Sequence, residues 1–297
     1  MTYRFLSVLA AVVAPLCAET VELAVNSVKM FGITHLEIEG KCLDVALQGT
    51  NQDTLSMGAV RLSEGLMVKS KRERTTLRVW VESPVPLFSS GCQGTLTLAV
   101  PSGLGIKVEN ISGDISIDDI SARSIVLKAV SGSIDMQNCS SPTRLKTVSG
   151  EVDVDSLEGD LTVESVSGEI DIAAANGFLS ITSVSGEQDV DRSRGAIEAK
   201  SVSGSVEFND FEGRISVESI SGSIEGERVN ATGECRFKTT SGSITLGFTS
   251  IDDLVFDLES TSGTLEVGSD RNTKRLKAGK GTIPVRGVSG SGSQKFF

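Results

Sequence analysis

Between Gly105 and Gly268 the chain alternates apolar and polar residues with a period of 18 residues. Each period divides into two halves of nine, as in residues 150–158 and 159–167. In each half, glycine occupies position 1, apolar residues occupy positions 3, 5 and 8, and a polar residue occupies position 9. Positions 3 and 5 lie on one face of a strand because successive side chains alternate. We predict that position 8 turns inward again after a corner, where glycine permits a positive φ.

This periodicity is typical of a repeat architecture. Two halves make one flattened coil, and successive coils stack as parallel strands about 4.8 Å apart. No coil can bury its apolar face alone, so stability arises mainly between neighbouring coils. The pattern therefore predicts an all-β chain in which residues 105–268 form a flattened parallel β-solenoid of about nine coils.

Two features interrupt the repeat. Gln188 and Ser193 occupy inward positions of one coil, which predicts local looseness or a compensating hydrogen bond. Small insertions near Gly233 and Asp252 predict loops at the corners of later coils.

The segments that flank the repeats have a different pattern. Residues 19–104 contain short alternating runs separated by polar turns, which predicts a small N-terminal antiparallel β-domain. We expect Trp80 in the core of this domain and the basic run Lys71–Arg74 at a solvated hairpin tip. Residues 269–297 are predicted to form a C-terminal cap or tail.

Several motifs carry a family resemblance. They are Gly94–Pro101, Ile106–Ile117 and the recurring Val-Ser-Gly followed by Glu or Ser, an aliphatic residue and an acidic residue. With these motifs, the chain resembles the bacterial β-strand repeat proteins labelled "putative adhesins" over roughly residues 30–290. The resemblance implies an exported β-solenoid with no assigned catalytic activity.

The N-terminus has the features of an export signal. Arg4 supplies a positive charge, residues 5–16 form a short apolar run, and Leu16-Cys17-Ala18 offers a cleavage site. The run is too short to span a bilayer, and no later segment is apolar for long enough, so no membrane span is expected. We therefore predict a signal peptide over residues 1–18 and a location in the periplasm or at the cell surface. Cys17 leaves lipidation of the mature N-terminus as an alternative.

Four cysteines remain after the predicted cleavage. Cys42 and Cys92 both lie before the repeats, and an exported protein meets an oxidising environment, so we predict a disulfide between them. Cys139 and Cys235 lie several repeats apart, too far for a disulfide, and we expect both to be small buried hydrophobic residues.

The charge pattern singles out one face of the coils. Position 4 of the half that follows Val-Ser-Gly is acidic in six successive coils: Asp135, Asp153, Asp171, Asp189, Glu207 and Glu225. The outward positions of the other half mix both signs. The acidic column is interpreted either as a solvated face that prevents aggregation, or as a weak site for hydrated Ca²⁺ or Mg²⁺ or for a basic partner. The net charge of −11 disfavours nucleic acid as a partner.

Candidate catalytic motifs are missing from the sequence. There is no Gly-x-Ser-x-Gly elbow, phosphate loop or metal-binding histidine pair, and the single histidine, His35, is interpreted as structural. We therefore expect an exported, non-enzymatic module without a cofactor, which binds an envelope protein or polysaccharide or has a structural role. The alternatives are a self-assembling scaffold in which coil ends stack, and a carbohydrate-active enzyme that uses the acidic face.

Overall fold

The computed structural model describes residues 27–62, 66–82 and 94–297, and within these ranges it contains 29 strands and no helix. The strands before the repeats are β1 Ser27–Lys29, β2 His35–Lys41, β3 Asp44–Thr50, β4 Thr54–Leu62, β5 Met67–Glu73, β6 Thr76–Glu82 and β7 Gly94–Pro101. The strands of the repeats are β8 Gly105–Asn110, β9 Ile115–Asp118, β10 Ser124–Ala129, β11 Ile134–Ser140, β12 Thr143–Ser149, β13 Val152–Glu158, β14 Leu161–Ser167, β15 Ile170–Ala173, β16 Asn176–Ser185, β17 Gln188–Asp191, β18 Arg194–Ser203, β19 Val206–Asn209, β20 Glu212–Ser219, β21 Ile224–Ala231, β22 Cys235–Ser241, β23 Ile244–Phe248, β24 Leu254–Ser262 and β25 Leu265–Val267. The C-terminal strands are β26 Asp270–Asn272, β27 Arg275–Gly279, β28 Ile283–Ser291 and β29 Gln294–Phe296.

The repeats form the predicted all-β, mostly parallel solenoid. Each coil contributes an even-numbered strand to one ladder and an odd-numbered strand to the other, from β8 and β9 to β24 and β25, which makes nine coils. Pairing advances by one repeat, so that Leu127 lies beside Leu145 and Leu145 lies beside Val163. All three side chains are buried, and the core is a narrow stack of such aliphatic rows. This packing between neighbouring coils provides most of the apolar burial.

The two halves of a coil bend differently at position 7. In the first half this residue is left-handed in seven successive coils: Asp119, Asn138, Ser156, Ala174, Arg192, Asp210 and Arg228. The bend returns position 8 to the interior, so Leu157 is buried. In the second half the strand continues without a bend, and simple alternation buries Ser165 and exposes Val166. The prediction that position 8 turns inward is therefore correct for the first half and wrong for the second.

Glycine is required at the corner that joins the two halves. Gly168 has a φ of 133°, and a Cβ built on it would lie 2.1 Å from the carbonyl oxygen of Gly150 in the preceding coil. The serine before this glycine also holds the stack, because Ser167 Oγ donates to the carbonyl oxygen of Val148 at 3.2 Å. Glycine recurs after serine for two reasons: the corner requires a positive φ, and neighbouring backbones approach too closely to leave room for a side chain.

The coil with polar inward residues contains the predicted compensating hydrogen bonds. Gln188 is completely buried, and its Nε2 donates to the carbonyl oxygen of Lys200 at 3.0 Å. Ser193 Oγ donates to the carbonyl oxygen of Asp191 at 2.9 Å and accepts from the amide of Ala175 at 3.0 Å. Each of these two side chains therefore keeps a partner in the core, although the buried Gln188 Oε1 has none.

The N-terminal strands continue the solenoid. β2 pairs in parallel with β6 and β8, and β3 pairs in parallel with β7 and β9, so the coil of β2 and β3 lies between two others. The antiparallel pairs β1–β4, β4–β7 and β5–β6 lie at the end of the stack. Buried Leu36 and Ile38 lie beside Ile106 and Val108 and extend the aliphatic rows, which joins this region to the repeats.

The predicted position of Trp80 is wrong, whereas the predicted position of the basic run in a hairpin is correct. Trp80 points outward between the buried residues Val79 and Val81 and is only half-buried, so its predicted place in the core is wrong. Strand alternation decides this, because only every second residue of β6 faces the core. The hairpin of β5 and β6 turns at Arg74, which has a φ of 55°, and the basic run is solvated as predicted.

The C-terminal segment returns into the stack. β28 pairs in parallel with both β22 and β24, and β29 pairs with both β23 and β25, so this last coil is inserted between two earlier ones. Phe296 packs in the core against Phe256, with ring centroids 5.5 Å apart. β27 and β26 pair in antiparallel fashion with β24 and β25 at the end of the stack. Residues 269–297 thus contain edge strands and one further coil.

The insertions near Gly233 and Asp252 form loops outside the strands.

Candidate functional site

The predicted acidic column is assembled in register. Asp135, Asp153, Asp171, Asp189, Glu207 and Glu225 are paired one with the next across β11, β13, β15, β17, β19 and β21. We call the outward side of the odd-numbered strands from β9 to β23 the acidic face. Its positions 4 and 6 carry no basic residue from β9 to β21, and their acidic residues are Asp118, Asp135, Asp153, Asp155, Asp171, Asp189, Asp191, Glu207, Glu225 and Glu227.

The middle of this column is electrostatically unfavourable. Burial raises the pKa of Asp171 to about 6, and the neighbouring carboxylates of Glu169 and Asp189 add to the rise. Burial also raises the pKa of Asp153, with contributions from Asp135 and Asp155. The pKa of Asp189 is raised for the same reasons. A raised carboxyl pKa means that the folded protein disfavours the ionised form.

The acidic column does not converge on a point. No group of three or more His, Cys, Asp or Glu side chains in the described ranges is arranged to hold a metal ion. A straight row of carboxylates about 4.8 Å apart faces solvent and presents oxygen atoms from one side only. The described residues of the column can therefore interact with cations as a charged surface.

Sequence analysis missed a row of exposed aliphatic side chains on the opposite side. We define the apolar ladder as position 8 of the second half in seven successive coils: Ile111, Val130, Val148, Val166, Val184, Val202 and Ile220. Their side chains remain between 43% and 53% exposed. The outward side of the even-numbered strands from β8 to β22, which carries this ladder, is called the ladder face. Parallel stacking places the rungs about 4.8 Å apart in one line.

A sequence signal for the apolar ladder exists at position 7. In the second half this position is Asn110 in the first coil and small in the next seven, where it holds Ala129, Thr147, Ser165, Ser183, Ser201, Ser219 and Thr239; all eight are buried. In the first half position 7 includes Arg192 and Arg228, which are exposed. A recurring small residue at one position of the repeat indicates that this position faces inward, and the residue that follows must then point outward.

Grooves run beside the apolar ladder. One groove of about 410 Å³ lies between the rungs Ile111, Val130 and Val148 and the charged side chains of Lys128 and Lys146. A second groove of about 290 Å³ lies further along, beside Val184, Val202 and Ile220, with Lys200 and Lys238 on its other side. The ladder face therefore combines an apolar ridge with a charged wall along the same direction.

Charges on the ladder face are largely paired across neighbouring strands. Lys128 Nζ lies 3.0 Å from Glu109 Oε1, and Lys146 Nζ lies 3.0 Å from Glu164 Oε2. Hydrogen bonds donated by Lys128 and Lys107 lower the pKa of Glu109. Arg144 and Lys200 form no ion pair with any residue in the described part of the chain.

The cysteines fall into two groups. Cys139 and Cys235 are buried free thiols, as predicted, and burial raises the pKa of each to about 11. Cys42 is half-buried in the turn between β2 and β3 and is disulfide-bonded. Cys92 lies outside the described residues, as does the predicted signal peptide with Cys17, so the Cys42–Cys92 pairing stays a prediction.

The described residues contain no helix that is long and apolar enough to cross a membrane. Two solved bacterial structures are similar to the chain. One is a putative cell adhesion protein from Clostridium sporogenes, with 12% identity, a TM-score of 0.26 and coverage of 94% of this chain and 99% of that one. The other is a putative adhesin from Bacteroides fragilis, with 15% identity, a TM-score of 0.38 and coverage of 92% and 96%. Neither similarity carries an argument about function.

No curated protein matches the chain. The family model Toastrack DUF4097 matches residues 33–293, from the segment before β2 to the turn before β29. This range covers most of the chain and includes every coil described above except the final strand β29, and it confirms the resemblance to bacterial β-strand repeat proteins. The chain therefore belongs to the Toastrack DUF4097 family.

Proposed function

We propose that the chain is an exported, non-enzymatic binding module of the cell envelope and that its ladder face is the binding surface. The apolar ladder carries this proposal. Single exposed aliphatic residues are common on protein surfaces, whereas contiguous exposed apolar rows are associated with interaction sites. Seven rungs in line, with grooves beside them, form such a row.

The construction of the solenoid supports a preformed binding surface. The residues that flank the rungs Val166 and Val184 pair in parallel with the strands on both sides. Serine hydroxyls such as Ser149 Oγ and Ser185 Oγ donate to the carbonyl oxygens of Val130 and Val166. A surface held in this way loses little conformational entropy when a partner binds, which favours affinity.

Both ends of the stack favour a binding module over a scaffold built by stacking coil ends. The end strands β5 and β27 pair in antiparallel fashion with their neighbours and carry Lys69, Lys71 and Arg72 at one end and Arg275 and Lys277 at the other. Basic residues on edge strands oppose pairing with another chain.

Co-sedimentation with washed cell-envelope fragments tests the proposal. We expect the wild type to sediment with the fragments and the triple variant Val148→Thr, Val166→Thr and Val184→Thr to remain in solution. Threonine already occupies the next rung of this column at position 240, so the fold should tolerate these changes. The control is Asp153→Asn, Asp171→Asn and Asp189→Asn on the acidic face, which should sediment like the wild type. Equal sedimentation of the ladder variant would overturn the proposal.

A further inference from the structure

We propose that the partner of the ladder face is the headgroup layer of an anionic lipid bilayer. This inference rests on the proposed function and names the partner which that function leaves open. It is carried by the combination of an exposed aliphatic row and an excess of basic residues on a single face of an otherwise acidic chain.

The charge of the ladder face differs in sign from that of the whole chain. Its outward positions 2, 4 and 6, in the coils of β8 to β22, hold six acidic residues, Glu109, Asp160, Glu164, Glu198, Glu218 and Glu234, and eight basic ones, Lys107, Lys128, Arg144, Lys146, Lys200, Arg214, Arg236 and Lys238. The chain as a whole has a net charge of −11. Anionic lipid surfaces attract clusters of Lys and Arg, so this face is the one that they would attract.

Two of these cations are available without breaking an ion pair. Arg144 and Lys200 are exposed, and neither forms an ion pair within the described ranges. Lys200 lies beside the apolar ladder in the groove that Val184 and Val202 line. A phosphate group that contacts Arg144 or Lys200 would therefore not have to displace a carboxylate from either side chain.

The apolar ladder distinguishes a lipid surface from a soluble polyanion. An anionic polymer would be bound by cations alone, and exposed valines would add nothing to that contact. A bilayer surface presents phosphates beside the start of the acyl chains, so it matches aliphatic rungs that lie next to lysines. Phe178 is 41% exposed on the same side of β16 and provides a further apolar contact.

The acidic face fixes the orientation of the molecule. It lies on the opposite side of the narrow core and carries the column from Asp135 to Glu225. An anionic surface repels this column while it attracts the ladder face, so only one broad face can approach the lipid. The acidic face would then point away from the bilayer.

Vesicle co-sedimentation tests the inference with the purified protein. Vesicles of phosphatidylcholine alone are compared with vesicles that contain phosphatidylglycerol, at low and at high NaCl. We expect binding to the anionic vesicles only, with weaker binding at high salt. The charge variant Arg144→Glu with Lys200→Glu and the ladder variant Val148→Thr, Val166→Thr and Val184→Thr should each bind at least about tenfold more weakly. Ile251→Thr, an exposed aliphatic residue outside the ladder, is the matched control and should bind like the wild type.

Three results would overturn the lipid inference. One is equal binding to both kinds of vesicle, and another is unchanged binding of the ladder variant. The third is complete competition by soluble polyphosphate together with direct binding of polyphosphate that the ladder variant retains, which would identify an anionic polymer as the partner. Binding to envelope fragments without binding to vesicles would reject the lipid partner and leave the proposed function intact. Absence of binding to envelope fragments would reject the proposed function itself.

Discussion

The acidic face and the ladder face are built from the two halves of the same repeat, yet they treat charge in opposite ways. On the acidic face, Asp153 lies directly beside Asp171, and Asp171 lies beside Asp189. On the ladder face, Lys146 lies beside Glu164 and forms an ion pair with it. The pKa of Asp171 is raised to about 6 while that of Glu109 is lowered. Burial and neighbouring carboxylates thus disfavour the ionised form in the middle of the acidic column, whereas ion pairs stabilise the charges of the ladder face.

Backbone geometry explains why one repeat can carry two such faces. Both halves share the glycine corner and the inward positions 3 and 5, which maintain the core. The outward positions contribute little to that core, so each column can take its own chemistry. The left-handed residue at position 7 adds one more difference, because it buries Leu157 in the first half while Val166 stays exposed in the second.

Breaking the shared glycine corner should have the largest effect, because it disturbs both faces at once. Gly168→Ala places a Cβ 2.1 Å from the carbonyl oxygen of Gly150 and forces alanine into a φ of 133°. We expect a loss of unfolding free energy of at least about 3 kcal/mol. Chemical denaturation followed by circular dichroism measures this loss.

Two control glycines separate the causes. Gly204 lacks a positive φ, but a Cβ there would lie 2.0 Å from the carbonyl oxygen of Gly186, so Gly204→Ala isolates the backbone contact and should also be severe. Gly103 has a φ of 78° and nothing within 4 Å of an added Cβ, so Gly103→Ala isolates the conformation and should cost about 1–2 kcal/mol. Equal effects at Gly103 and Gly168 would contradict the role of close stacking.

Neutralising carboxylates should have opposite signs on the two faces. The triple variant Asp153→Asn, Asp171→Asn and Asp189→Asn removes like-charge contacts along the column and should stabilise the protein by about 1–3 kcal/mol. Glu109→Gln on the ladder face removes the negative charge that pairs with Lys128 and Lys107 and should destabilise the protein by up to about 1 kcal/mol. Thermal unfolding compares both variants with the wild type. Destabilisation by the triple variant would show that these carboxylates have favourable partners.

The same contrast predicts a pH dependence. The folded pKa of Asp171, about 6, lies above the unfolded value of about 3.9. Ionisation of Asp171 therefore costs no folding stability below about pH 4, and the full loss of stability is present above about pH 6. Stability should therefore fall as pH rises through this window. Glu109, whose pKa is lowered, contributes stability above its unfolded pKa and loses it only as pH falls below about 4. We expect the advantage of the triple variant over the wild type to be larger at about pH 7.5 than at about pH 5. An advantage independent of pH would contradict this assignment.

Much of this architecture follows from local rules that the sequence displays. The period of 18 residues, the inward rows and the acidic column could be predicted because each depends only on strand alternation and stacking. The position of Val166 was missed because apolar residues were assumed to point inward. The small residues that recur at position 7 from Ala129 onward, such as Ser165, would have corrected that assumption.

The order of coils at the ends could not be predicted in this way. The coil of β2 and β3 lies between those of β6–β7 and β8–β9, and β28–β29 lies between two earlier coils. The insertion of a coil between two others depends on long-range strand pairing. All coils have similar inward residues, so the sequence of one coil does not predict which coils lie next to it. Trp80 shows the same limit, since its side follows from the register of β6.

The smallest effect that separates the two faces is the pairwise coupling between adjacent charges. A double-mutant cycle of Lys146→Ala and Glu164→Ala should give a favourable coupling of about 0.2–1 kcal/mol, because this exposed pair is 3.0 Å apart but screened by water. The matching cycle of Asp153→Ala and Asp171→Ala should give an unfavourable coupling of about the same size. Added NaCl should reduce both couplings toward zero, since both contacts are accessible to salt. Couplings of the same sign on both faces would mean that packing, and not charge, sets the interaction along each column.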